Sequence, residues 1–254
     1  MSALLNVQNL RMQFGGLVAV DGVSFSVQPK QIFSIIGPNG AGKTTVFNCL
    51  SGFYRPTSGR ICLNDRVIDH LPDYRISRLG LIRTFQHVRL FKQMTVIENL
   101  LVAQHRLVNT RLLSGLFKTP DYRLRERDAL ERTWLWLERL NLSSFANRAA
   151  GTLAYGPQRL LEIARCMVAE PTLLLLDEPA AGLNPKETHD MDRLIMQLRD
   201  EFNLSILLIE HDMKLVMGIS DQVYVMNQGR PLAQGSPEEI CKHPEVINAY
   251  LGES

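Results

Sequence analysis

The chain has 254 residues, enough for one large domain or two small ones with a full buried core. Against 26 Asp and Glu stand 28 Lys and Arg, a formal net charge of +2; this is no polyelectrolyte, and no nucleic-acid partner is expected. Cys49, Cys62, Cys166 and Cys241 form no CxxC pair and no metal-ligand spacing with histidine, so they read as small buried hydrophobes in a reducing compartment.

Met1 to Asn9 has no basic stretch followed by an apolar one, so export is not expected. No run approaches the roughly 20 apolar residues that span a bilayer. A cytoplasmic protein is expected, with any membrane role exerted through a partner.

The first thirty or so residues mix apolar and polar positions without a helical period and predict short strands. Ile32 to Ile36 is an apolar strand, followed by Gly37-Pro38-Asn39-Gly40-Ala41-Gly42-Lys43-Thr44-Thr45 and then a helical pattern through Val46, Phe47 and Leu50. Glycines between strand and helix let backbone N–H groups close on phosphate oxygens, and the helix directs its positive end at the same anion. Lys43 then faces the β and γ phosphates, and the Thr44 hydroxyl is placed to ligate Mg²⁺. The chain is read as binding a nucleoside triphosphate.

Beyond this loop, Ile61 to Leu63 and Val67-Ile68 flank Asn64-Asp65, a hairpin turn without its favoured glycine, and can pair with the first strands in a small sheet. From about Gln86 to Val168 apolar residues such as Val96, Leu100 and Leu101 recur at helical spacing, with a break over Asn109 to Pro120. Asp121 to Leu140 reads as an amphipathic helix, its apolar face carrying Leu130, Trp134, Leu137 and Leu140 and its arginines nearly balanced by acids. After residue 170, Leu173 to Leu176, Ser205 to Ile209 and Val223 to Met226 are the continuous apolar runs of a buried parallel sheet. Asp177-Glu178 closes the first of these runs, placing two acids at the carboxyl end of a strand, where open α/β sheets bind ligands. Asp177 suits Mg²⁺ and Glu178 a general base acting on water.

The phosphate loop, Gln86, Leu153-Ala154-Tyr155-Gly156-Pro157-Gln158-Arg159, Leu173 to Pro179 and His211 together resemble ABC ATPase domains in order and spacing, over essentially the whole chain. The resemblance implies an α/β P-loop NTPase core with a mainly parallel sheet, over 1–85 and 170–254. It also implies a small N-terminal antiparallel β subdomain and an inserted helical subdomain over about 86–169, the whole forming one domain over 1–254. Two such domains would meet head to tail, each ATP lying between one phosphate loop and the other chain's segment from Leu153 to Gln158. Gln86 would then reach Mg²⁺ or water and respond to the transmembrane partner, His211 would contact the γ-phosphate, and Phe14 would stack on adenine.

Two departures from the family pattern stand out. Ala154-Tyr155-Gly156-Pro157 replaces the usual Ser-Gly-Gly-Gln, so the serine that meets the γ-phosphate is missing, although Pro157 suits the first turn of a helix. Asn184 stands where aspartate is common in the loop that communicates across the dimer, which fits a heterodimer with a more standard sister.

Gly80 to Gln86, Leu90-Phe91, Thr95 to Leu100, Ala249 to Glu253 and a basic helical insertion from about His105 to Arg139 resemble the ATP-binding subunits of bacterial branched-chain amino acid importers. That implies two transmembrane permeases, a sister ABC ATPase, an indirect periplasmic binding protein, and a peripheral place on the cytoplasmic face of the plasma membrane. Urea, amide or lipopolysaccharide transport, or a non-transport ABC ATPase, are the alternatives. A DNA-repair ABC protein would carry a long coiled coil between Lys43 and Leu153, and a translation-associated one a second copy of each motif. A small-molecule kinase has no need of the Leu153 segment, Gln86 or His211.

Overall fold

The computed structural model describes residues 3–104 and 120–251. It divides into two compact units, one of Met1–Arg83 with Thr172–Ser254 and one of Thr84–Pro171.

Among its described residues the first unit holds two sheets. The first has the order β2-β1-β4-β5 and is antiparallel, from β1 (Leu5–Phe14), β2 (Leu17–Val27), β4 (Ser58–Leu63) and β5 (Arg66–Val67). Strands β1 and β2 run for 10 and 11 residues, longer than expected. Register shifts after Val7, Leu10 and Met12 interrupt the alternation of faces, which disguises one long strand as short ones. The β4–β5 turn has Asn64 and Asp65 at φ 48° and 61°, the left-handed pair of a type I′ hairpin, which Asn and Asp tolerate without glycine.

The second sheet has the order β10-β9-β3-β8-β7-β6. Strands β3 (Ile32–Ile36), β6 (Leu81–Arg83), β7 (Leu173–Asp177), β8 (Ser205–Ile209) and β9 (Gln222–Asn227) are parallel, and β10 (Arg230–Gly235) is an antiparallel edge. Every residue of β3, β7 and β8 is buried, as strands covered on both faces require. Successive side chains go to opposite faces: Ile35, Tyr224 and Met226 join one core with Phe47 and Leu50, while Ile36, Val223 and Val225 join another with Val216 and Ile240. Ile209 pairs with both Ile35 and Asp177, so β3, β8 and β7 end level and the chain leaves all three at one edge.

Helices α1 (Lys43–Leu50), α2 (Asp73–Arg78), α6 (Pro185–Phe202), α7 (Met213–Ile219), α8 (Pro237–Cys241) and α9 (Pro244–Leu251) belong to the same unit. Cys49 and Cys166 are buried, and burial pushes both thiols up to about 12. Cys62 is half-buried and Cys241 is exposed, contrary to expectation, because Cys241 closes the short surface helix α8.

The second unit contains α3 (Val96–Ala103), α4 (Pro120–Arg139) and α5 (Tyr155–Met167). Thr95 and Glu98 close a capping box at the start of α3. The apolar face of α4 is rotated from the expected one. Ala129, Thr133, Trp136, Leu137 and Leu140 are buried, whereas Leu130 and Trp134 are 40% and 39% exposed. Polar groups fix that rotation: Gln104 Nε2 donates to the Ala129 carbonyl at 2.9 Å and to Thr133 Oγ1 at 2.8 Å, and Arg132 Nε donates to Gln104 Oε1 at 2.9 Å. Pro120 opens α4 instead of ending a break; the rest of the expected break, and the basic insertion from His105 as far as residue 119, lie outside the described residues. Among the described residues no helix is long and apolar enough to cross a membrane.

Candidate nucleotide site

The loop after β3 owes its shape to glycines at close approaches. A Cβ on Gly37, at φ 149°, would lie 2.1 Å from the Met226 carbonyl oxygen, and one on Gly42, at φ 93°, would lie 2.6 Å from that of Ala19. Asn39 and Gly40 are exposed, and a Cβ on Gly40 would meet nothing within 4 Å, so the loop turns its mouth outward. Pro38 and Ala41 are buried beneath it. Lys43 Nζ folds back and donates to the carbonyls of Gly37 at 2.6 Å and Pro38 at 2.9 Å. The first turn of α1 carries no acidic residue, so its positive end and Lys43 act in the same sense on an anion. Thr44 is exposed there and Thr45 half-buried.

Two strands away, Asp177 closes β7 and is 1% exposed. Its partner is Arg83, at the end of the neighbouring β6. Arg83 Nη2 donates to Asp177 Oδ2 at 2.7 Å, while Nη1 donates to Asn48 Oδ1 at 2.7 Å and Ser51 Oγ at 3.1 Å, both on the α1 side. One guanidinium thus ties the acidic strand to the helix that carries the phosphate loop. The signal in the sequence is a charged residue ending an apolar strand, and Arg83 gains its meaning only from pairing beside Leu175.

Glu178 adopts φ 50°, a left-handed conformation that costs a non-glycine residue on the order of 1 kcal/mol or more. Its N–H donates to the Ile209 carbonyl at 2.9 Å, and its Oε1 lies 2.8 Å from His211 Nε2 on the loop after β8. Between these loops sits Glu210, 4% exposed. Its Oε1 accepts from the Ala180 N–H at 2.8 Å and its Oε2 from the His211 N–H at 3.0 Å. Burial raises its pKa despite backbone donors from Ala180, His211 and Asp212 that pull the other way. Glu210 holds the two loops at a fixed spacing, a role invisible in an acid that merely follows an apolar strand.

Phe14 is 41% exposed, edge-on to Tyr54 with ring centroids 5.2 Å apart, so it lies outside the core. Asn184 caps α6, its Oδ1 accepting from the N–H groups of Lys186 and Glu187, both at 3.0 Å, while Glu187 returns a bond to the Asn184 N–H. An acceptor oxygen is what this position needs, and an amide supplies it as a carboxylate would.

For Mg²⁺, the Thr44 hydroxyl and the Asp177 carboxylate are hard oxygen donors of the right chemistry. Among the described residues no cluster of three or more His, Cys, Asp or Glu could hold a metal by itself.

In the second unit, Leu153 is buried, Ala154 is exposed at the N-cap of α5, and Tyr155, Gly156 and Pro157 form its first turn, with Gln158 Nε2 donating to the Leu153 carbonyl at 2.8 Å. Ala154 offers no side-chain cap. Gln86 is exposed, and its carbonyl accepts from Arg159.

A parallel sheet whose phosphate loop opens at its carboxyl edge beside a buried aspartate defines a P-loop nucleoside triphosphatase. Residues 20–181 match the ABC transporter family model, and residues 230–254 match that of the branched-chain amino acid ATP-binding cassette transporter. The chain is 63% identical over 251 residues to the high-affinity branched-chain amino acid transport ATP-binding protein BraF of Pseudomonas aeruginosa, covering 99% of this chain and 98% of that one. It is 62% identical, with the same coverage, to LivG of Escherichia coli K12, which bears the same description. A crystal structure of a nucleotide-free ATP-binding cassette from an ABC transporter superposes with a TM-score of 0.85 at 32% identity, over 98% of this chain and 99% of that one. The chain belongs to the ATP-binding subunits of ABC transporters: it binds ATP and hydrolyses it to power transport.

Proposed function

We propose that the transport this chain powers is the uptake of leucine, isoleucine and valine. The observation that carries the reading is identity above 60% over nearly the whole chain to two proteins named for that transport, joined by the match of the last 25 residues to a family model of the same name. The chain sits peripherally on the cytoplasmic face of the plasma membrane, against two permease subunits and a sister ABC ATPase, while a periplasmic binding protein delivers the amino acid. Its two compact units act as one ABC ATPase domain, a core over 1–85 and 170–254 and a helical subdomain over about 86–169.

The residues then divide the work. Residues 37–45 bind the phosphates, with Lys43 released from its carbonyls to face the β and γ groups, and Phe14 stacks on adenine. Mg²⁺, when bound, would neutralise phosphate charge, with Thr44 and Asp177 as the residues that would hold it, while Gln86 is the nucleotide-sensing residue of the second unit. Glu178 accepts the proton of the attacking water, and His211 orients that carboxylate and meets the γ-phosphate. The segment from Leu153 to Gln158 closes on ATP held by the sister chain, and Asn184 lies in the loop that communicates across the dimer.

The test is uptake of isotope-labelled leucine, isoleucine and valine by cells lacking the native copy. The wild-type chain restores uptake and Lys43→Ala does not. Unimpaired uptake in the deletion strain, or full rescue by Lys43→Ala, overturns the reading.

A further inference from the structure

We infer that Arg159, braced by Glu162, is a positioning residue that ties Tyr155 of the segment closing on the sister chain's ATP to the main chain of Gln86, so that the two nucleotide-sensing segments move as one piece. The inference rests on the roles proposed above for those segments.

Arg159 is 2% exposed on the second turn of α5. Burying a guanidinium costs several kcal/mol unless its donors are matched, and here each nitrogen finds an acceptor. Nε donates to the Tyr155 hydroxyl oxygen at 3.1 Å, Nη2 to the Gln86 carbonyl at 2.6 Å, and Nη1 to the Phe85 carbonyl at 3.0 Å and to Glu162 Oε2 at 3.1 Å. Glu162 uses its other oxygen on the same stretch, accepting from the N–H groups of Phe85 at 3.4 Å and Arg89 at 3.3 Å. The ion pair therefore grips the Gln86 loop through donors and acceptors together, while its third arm reaches back one helical turn to Tyr155. Residues four apart share a helix face, which is why Tyr155 can serve as that arm.

Chemistry supports positioning over plain stabilisation. An ion pair needed for folding alone could be satisfied by its own two members and nearby carbonyls, yet Arg159 spends Nε on a tyrosine that is 42% exposed at the helix start. The bond to Gln86 takes its carbonyl, so it sets where the main chain of that residue stands. A lysine could not copy this, because its three donors fan from a single nitrogen and cannot span the acceptors that the three nitrogens of a planar guanidinium reach together.

The experiment is a double-mutant cycle on ATP hydrolysis by the full chain in its membrane complex, using Tyr155→Phe, Gln86→Ala and the double variant. Tyr155 is partly exposed, so losing its hydroxyl leaves the fold intact. Tyr155→Phe should lower kcat about threefold to tenfold with KM for ATP little changed, and the double variant should match Gln86→Ala alone. Arg159→Lys, which keeps the charge beside Glu162, should fall to the same level. Multiplying losses in the double variant, or Tyr155→Phe at the wild-type rate, would overturn the coupling while leaving the role of Gln86 standing. Gln86→Ala at the wild-type rate would remove that role and the coupling with it.

Discussion

His211 Nε2 lies 2.8 Å from Glu178 Oε1, although the two residues sit on loops after different strands. Three restraints bring them together: the Glu178 N–H on the Ile209 carbonyl, the left-handed Glu178 backbone, and the Glu210 carboxylate spanning Ala180 and His211. An imidazole at this distance fixes the carboxylate's direction before substrate arrives, which is what a general base needs most.

Glu178→Gln should therefore keep ATP binding and slow hydrolysis by roughly 10² to 10⁴. His211→Ala should slow it less, and the double variant should be no slower than Glu178→Gln, since residues acting as a unit are not additive. Phosphate release and fluorescent-nucleotide binding measure the two effects separately; an unchanged rate for Glu178→Gln would reject it as the base.

Ala154 occupies the N-cap of α5, at φ −63° and ψ 162°, with no side-chain bond to the first turn. Serine there would accept from an N–H of that turn, so Ala154→Ser should raise stability by about 0.5–2 kcal/mol, seen as a shift in the urea midpoint. The same hydroxyl is what the family pattern offers to the γ-phosphate, so ATP-driven dimerisation should tighten as well. Greater stability without tighter dimerisation would assign the hydroxyl to the helix alone.

The contrast between Lys43 and Arg83 explains what can be read from the sequence. Lys43 lies six residues from Gly37 and its loop is one contiguous string, so local chemistry displays it. Arg83 and Asp177 are 94 residues apart and meet only because β6 pairs with β7. Glu210 and the Arg159–Glu162 pair are hidden for the same reason, each bonding backbone from a distant stretch. On α4 the expected apolar face differs from the buried one in phase: interspersed arginines and acids leave the apolar stripe ambiguous, and Gln104 decides which face turns in.

Arg83 and Asp177 have side chains 6% and 2% exposed. Removing one member of such a pair takes away the charge that offsets the other's burial, so Arg83→Met should lower stability by about 3–5 kcal/mol. Arg83→Met combined with Asp177→Leu should recover much of that loss, though not activity. Urea unfolding of the two variants decides it; a double variant as unstable as Arg83→Met would show that the cost comes from the lost bonds to Asn48 and Ser51 instead of the lost ion pair.

Glu210 makes stability depend on pH in a direction set by burial. Its folded pKa is raised above the ordinary 4.5, so in the window between the two values the folded chain holds a proton that the unfolded chain has released. Stability from this group is fully present below about 4.5 and declines as pH rises through the folded value. Glu210→Gln has no proton to lose and keeps one carbonyl acceptor. Its deficit relative to wild type should therefore be largest near pH 4.5 and shrink as pH rises, as urea midpoints taken from about pH 4.5 to 7 would record. A deficit that grows with pH would mean that the N–H donors of Ala180, His211 and Asp212 outweigh burial and hold the carboxylate ionised.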